Sequence, residues 1–250
     1  TLSWCLGYFG MPQVLLRFMA IEDPKELTKS RRIATSWCLI SLCAAVAVGL
    51  IGRSIYPSEL LTQSASENVF ILISSNLLPP LLAGIVMAGI LAATISSSDS
   101  YLLIAASAFS KNIYQGILKR EARDQEVMKV SRITLLLIAL FGIVIALDEN
   151  SIIFSVVSFA WAGFGATFGP IILFSLFWKR TTREGAIAGM LAGGGMVFLW
   201  KLVLKPMGGI WGIYELLPAF IVSCIFIMLV SLMTPEPSKE IQAEFELAAK

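Results

Sequence analysis

Residues 4–12 read Trp4-Cys5-Leu6-Gly7-Tyr8-Phe9-Gly10-Met11-Pro12, and the rest of the chain is best read outward from them. They lie inside an apolar run, roughly 2–20, which at about 1.5 Å rise per residue approaches the thickness of a bilayer. Two glycines and a proline are out of place in the middle of a smooth spanning helix, because proline removes a backbone donor and clashes with the preceding turn. Freed polar groups are tolerated in a membrane only where they face protein or a wet cavity. Broken helices near the midplane are how many secondary transporters present backbone dipoles to an ion and a substrate. A plain proline kink is the other reading of the same residues. Either way the run belongs in a membrane.

Six further apolar runs follow, roughly 33–52, 81–110, 130–147, 151–178, 185–204 and 214–233, so the sequence predicts seven transmembrane helices, A to G. The 250 residues are 57% hydrophobic and 14% charged, where a soluble domain carries about 25% charge to wet its surface. The class expected is an all-α integral membrane protein. A net charge of +2 supplies no basic field for nucleic acid.

Lysine and arginine orient the loops. The A–B loop holds five (Arg17, Lys25, Lys29, Arg31, Arg32), C–D six (Lys111, Lys119, Arg120, Arg123, Lys129, Arg132) and E–F three (Lys179, Arg180, Arg183). B–C has one (Arg53), D–E none and F–G two (Lys201, Lys205). The asymmetry places the richer loops and the tail, with Lys239 and Lys250, in the cytoplasm. Helix A then begins outside with no initiator Met, basic leader or cleavage motif ahead of it, which predicts further helices before Thr1. The external segment Pro57 to Asn76 has a cap signal at Ser58 and helix-spaced Val69, Phe70, Leu72 and Ile73. It reads equally as an amphipathic lid or as an ordinary surface helix. From Thr234 to Lys250 the chain reads as a solvated end, and no repeat or low-complexity linker divides it.

The absence of histidine from the sequence excludes a Ser-His-Asp triad and histidine-ligated metals within these residues. Cys5, Cys38, Cys43 and Cys224 lie in apolar runs without CxxC spacing and read as buried small hydrophobes. A hydrolase built on a hydroxyl of Ser96–Ser100 would have only Asp99 as a nearby acid, so the sequence argues against an enzyme.

Helix C carries Ala93-Thr94-Ile95-Ser96-Ser97-Ser98-Asp99-Ser100 around the midpoint of its run. Ala93, Ser96 and Ser97 are spaced i, i+3 and i+4 and share one face. One carbonyl and two hydroxyls there offer three neutral oxygens, hard ligands of low charge that suit a monovalent cation that must bind and leave. Serines that bond back to carbonyls and let helices pack closely are the even alternative. Asp99, about one turn toward the cytoplasm, tips the balance, since intramembrane carboxylates are costly and usually functional. It can hold a cation, carry a proton or pair with another helix; a charged face opening to the cytoplasm is the plainer alternative. Helix E holds Gly165 and Gly169 in GxxxG spacing, and helix F holds Gly189 and Gly193. Both pairs read first as close-packing surfaces, and Pro170 permits a bend in helix E.

Trp4 through Pro12 are followed by Arg17-Phe18-Met19-Ala20, Ser30-Arg31-Arg32-Ile33, Gly89-Ile90-Leu91-Ala92-Ala93 and Ser158 through Pro170. In collinear order over nearly the whole chain, these stretches resemble the sodium/solute symporter family. The resemblance implies a leucine-transporter-type fold, a ten-helix core made of two inverted five-helix repeats. Residues 1–178 would be the second repeat, core helices six to ten, 179–233 two accessory transmembrane helices, and 234–250 a cytoplasmic tail. It also implies a sodium site on the Ala93 carbonyl and the Ser96 and Ser97 hydroxyls, completed by the first core helix, and a second sodium position at Asp99 and Ser100. Substrate contacts implied on core helix six are Trp4, Tyr8, Gly10 and Pro12.

The activity implied is symport of sodium with proline, or a similar small amino acid, across the cytoplasmic membrane. Its partners would be that small molecule, membrane lipid and a missing N-terminal half of the transporter. Gly10-Met11-Pro12-Gln13 stands where proline carriers of the family commonly have Gly-Gln-Pro-His. This departure keeps another small carboxylate, such as pantothenate, open as substrate. A transport-incompetent half or assembly subunit is the further alternative, because a site shared between repeats is not completed by one of them.

Overall fold

The computed structural model describes residues 2–147 and 152–248; the turn expected between runs D and E, and Thr1 and Lys250, lie outside the described residues. Run A is not a continuous helix. Leu2–Gly10 forms a 3-10 helix, Met11 is extended, and α1 occupies Pro12–Met19. Among the described residues, six continuous helices are therefore long and apolar enough to cross a membrane, against the seven expected: Glu26–Ile55, Pro80–Leu118, Asp124–Ala146, Ile153–Phe177, Arg183–Met207 and Leu216–Met233. The reason is local, since neither the nine-residue nor the eight-residue piece of run A has the length of a span.

Contacts divide the chain into two units, Thr1–Ile21 with Phe154–Lys250, and Glu22–Ile153. The second unit contains α2 (Glu26–Ile55), α3 (Gln63–Ser66), α4 (Val69–Leu77), α5 (Pro80–Ser107) and α6 (Asp124–Ala146). α5 continues as a π-helical segment over Ala108–Leu118, so it outruns the predicted run by a further turn and more. The segment before α5 is two short helices. Thr62, not Ser58, supplies the cap: its hydroxyl accepts from the Ala65 amide at 3.2 Å, while Ser58 donates to Glu59. α4 rests Val69 and Ile73 on Gly52 near the end of α2.

The first unit contains α7 (Ile153–Phe177), α8 (Arg183–Leu199), α9 (Leu216–Met233) and α10 (Lys239–Ala248) with the two pieces of run A. α8 and α9 meet across glycines. A Cβ on Gly189 would strike Ile227, and one on Gly193 would meet the Ala166 carbonyl and Ser223. The buried Ser223 hydroxyl donates to the Gly189 carbonyl at 2.9 Å. With no hydrophobic drive between helices in lipid, backbone approach and such hydrogen bonds are what hold them together. Ala162, Ala166, Val197, Leu216, Ala219 and Phe220 form the core of this unit.

Two expectations change here. The tail is helical over α10 and ion-paired, Glu246 with Lys179 at 3.6 Å and Glu236 with Arg180 at 3.6 Å, rather than merely solvated. Cys5, Cys38 and Cys43 are exposed rather than buried, and Cys224 is half-buried; all four are free thiols. They sit on helices that are apolar all round yet pack along one side only, so an apolar residue type does not imply burial in this chain.

Candidate functional site

The break in run A is positioned by glycines on both partners. Met11 (φ −87°, ψ 115°) separates the 3-10 segment from α1, and Pro12 opens α1 at its first position, where a missing N–H costs little. A Cβ on Gly10 would lie 2.9 Å from both Gly165 Cα and Gly169 N, and one on Gly165 would lie 2.6 Å from Gly7 Cα. The 3-10 segment thus runs against the bare backbone of α7. The GxxxG pair is a packing surface, as its spacing predicts, and the strand of chain that it receives is the irregular one. Met11 is buried at 7% exposure, and its carbonyl accepts from Val14 and Leu15. Two first-turn N–H groups of α1 are thereby satisfied across the change from 3-10 to α pairing, and Pro12 has none to satisfy.

Trp161 joins the predicted substrate residues. Its indole N–H donates to the Trp4 carbonyl at 2.9 Å, and its ring stacks on Trp4 at 5.3 Å and meets Tyr8 edge-on at 4.8 Å. Trp4 also stacks on Phe154 at 5.6 Å and Tyr214 at 6.0 Å. The Tyr214 hydroxyl donates to the Ser158 carbonyl at 2.6 Å. Burial, aided by the Glu215 carboxylate, raises the Tyr214 phenol above its ordinary value, so it stays a donor. Trp4 is accordingly wedged among rings, whereas Tyr8 is 48% exposed. Sequence reasoning singled out Trp4, Tyr8, Gly10 and Pro12; the structure adds Trp161 beside Trp4 and Tyr8, and Phe154 and Tyr214 beside Trp4. Trp161 lies one turn before Gly165, a signal that was present; nothing in the sequence links Tyr214 to Trp4.

The oxygens predicted for sodium lie on α5. Ala93, Ser96, Ser97, Asp99 and Ser100 are all exposed on a regular helix, so the i, i+3, i+4 spacing does put Ala93, Ser96 and Ser97 on one face. Ser100 donates to the Ser96 carbonyl at 3.2 Å and Thr94 to the Ile90 carbonyl at 2.9 Å, the back-bonding anticipated for this stretch. A hydroxyl whose proton is held this way keeps lone pairs for a cation. Asp99 is about 120° round the helix from Ala93 at 100° per residue, so Ser100, not Asp99, continues the neutral-oxygen face. Among the described residues, no group of three His, Cys, Asp or Glu side chains could hold a metal. The aromatic and glycine set belongs to the first unit and the serine set to the second.

The family model for the sodium:solute symporter family matches residues 1–193. This chain belongs to the sodium:solute symporter family. The symporter match takes in the 3-10 break, the serine face of α5, all of α7 and most of α8. The chain is 41% identical to the sodium/proline symporter of Haemophilus influenzae over 99% of its own length and 50% of that protein. It is 40% identical to the osmoregulated proline transporter OpuE of Bacillus subtilis, over 95% of its length and 48% of that protein. A sodium/proline symporter of Staphylococcus aureus is 40% identical, over 97% and 48%. The chain spans about half the length of these curated relatives. No solved structure matches it.

Proposed function

We propose that these residues form the half of a sodium-coupled proline symporter that carries core helices six to ten and two accessory helices. The observation that carries this reading is the break at Met11, held against the Gly165–Gly169 track, in a chain whose similar relatives include several named proline transporters. Tyr8 and Pro12 face the substrate, with Trp4 and Trp161 holding the segment that presents them. Sodium is cargo, taken by the Ala93 carbonyl and the Ser96 and Ser97 hydroxyls together with oxygens from further helices; Asp99 and Ser100 are the second sodium position. Bound sodium stabilises the outward-open, substrate-competent state through its differential affinity for that state. Lysine and arginine distribution supports a cytoplasmic C-terminus.

The test is initial uptake of labelled proline into proteoliposomes carrying the complete transporter, with and without an inward sodium gradient and with competing amino acids and pantothenate. Sodium-dependent uptake blocked by excess proline supports the reading. Uptake indifferent to sodium, or blocked by pantothenate and not proline, refutes it. A second reading, that this half does not transport alone, is favoured by the relatives' doubled length. Robust sodium-driven uptake by the 250-residue chain alone would exclude it.

A further inference from the structure

An open apolar groove of 310 Å³ lies along α7 and α8, passing Phe159, Gly163, Phe164, Thr167, Gly194 and Phe198. Gly163 has open space where a Cβ would stand, so the groove is a real gap in the surface and not a crevice between touching side chains. The α7 residues along it, 159 to 168, span about 14 Å, close to half of a hydrocarbon core about 30 Å thick, the depth of one leaflet.

Lys201 stands at one end of this groove. It lies three residues beyond Phe198, with its ammonium 5.9 Å from the centre of the Phe159 ring. Here α8 passes into a π-helical turn, Trp200–Leu204, a device common at functional positions. Charge at this end is unbalanced. The fully buried Glu215 carboxylate is met by Lys205 at 2.8 Å and by Lys201 at 3.7 Å, one negative group for two positive ones. Lys205 holds the shorter contact, which leaves Lys201, 28% exposed, as the ammonium with charge to spare. Trp200 and Trp211 pair at 5.3 Å beside it, and the Trp200 indole donates to the Trp211 and Ile213 carbonyls. Tryptophans of this kind mark headgroup level. An apolar slot one leaflet deep with a cation at its interfacial end fits an amphiphile with one acyl chain in the slot and a phosphate at the lysine.

We propose that this groove is a binding site for an anionic phospholipid, with an acyl chain along Phe159, Gly163 and Phe198 and the phosphate on Lys201. The test is native mass spectrometry of the chain released from phosphatidylcholine nanodiscs doped with phosphatidylglycerol of the same acyl chains. Wild type retains phosphatidylglycerol over phosphatidylcholine by about five-fold, the effect of one lysine at an anionic surface. Lys201→Gln abolishes that preference while Lys201→Arg keeps it. Gly163→Leu, whose side chain has room on α7, lowers retention of both lipids. Equal retention of the two lipids by wild type overturns the proposal, as does a preference that survives Lys201→Gln. Undiminished retention in Gly163→Leu overturns it too, and would mean that another helix or no ligand occupies the groove.

Discussion

Trp161 donates its indole N–H to the main-chain carbonyl of Trp4 at 2.9 Å while the two rings stack at 5.3 Å with an interplanar angle of 12°. One side chain on α7 thus satisfies a carbonyl of the 3-10 segment and packs against its ring. A 3-10 run of nine residues is long for a geometry whose hydrogen bonds are poor, and this double contact is what stabilises it from outside.

Replacing that side chain separates the two contributions. Trp161→Phe keeps an aromatic ring and removes the donor, and we expect it to lower stability by about 1 kcal/mol, the net worth of one hydrogen bond. Trp161→Ala removes the ring as well and costs about 3–5 kcal/mol. Thermal unfolding of the detergent-solubilised protein, followed by circular dichroism, measures both; a Trp161→Phe protein as stable as wild type would mean that the Trp4 carbonyl is indifferent to its donor, and equal losses in the two variants would mean that the ring contributes nothing.

Glycine substitutions should divide sharply by position. Gly10→Ala and Gly165→Ala force backbone apart and are expected to destabilise by about 1–3 kcal/mol, the usual cost of overpacking. Gly142→Ala meets open space on α6 and should be neutral or stabilising by up to about 1 kcal/mol. Thermal inactivation of single variants checks the ranking, and a Gly10→Ala protein as stable as wild type would contradict the close approach.

Glu215 is ion-paired with two lysines from a site of zero exposure. Glu215→Gln is therefore expected to cost about 2 kcal/mol, below the range for fully buried pairs because both lysines reach solvent. Adding Lys205→Met should recover part of that loss. A double variant no more stable than Glu215→Gln, in the same unfolding assay, would show that the charges are not coupled.

The sequence made the membrane class and the run boundaries legible because hydropathy along a helix is a one-dimensional signal. Gly7, Gly10 and Pro12 likewise announced the irregularity of run A, although not that the chain would pass through an extended Met11. Contacts distant along the chain were not legible: Tyr214 against Trp4, Glu215 between Lys201 and Lys205, and the helical tail paired through Glu246. Burial was misjudged for Cys5, Cys38 and Cys43 because in a membrane protein an apolar side chain is as content on the outside as within. For the serine face, spacing alone sufficed to align Ala93, Ser96 and Ser97, since α5 is regular there. The oxygens that would complete a cation's shell are not on that face.

The central claim is that this face of α5 binds the coupling ion, and sodium titration of proline uptake by the complete transporter tests it most directly. Ser97→Ala is expected to raise the sodium concentration for half-maximal uptake by about ten-fold or more, the loss of one charge-assisted oxygen contact of roughly 1.5–3 kcal/mol. The maximal rate at saturating sodium should change far less. An unchanged sodium dependence in Ser97→Ala, with uptake otherwise intact, would contradict the account.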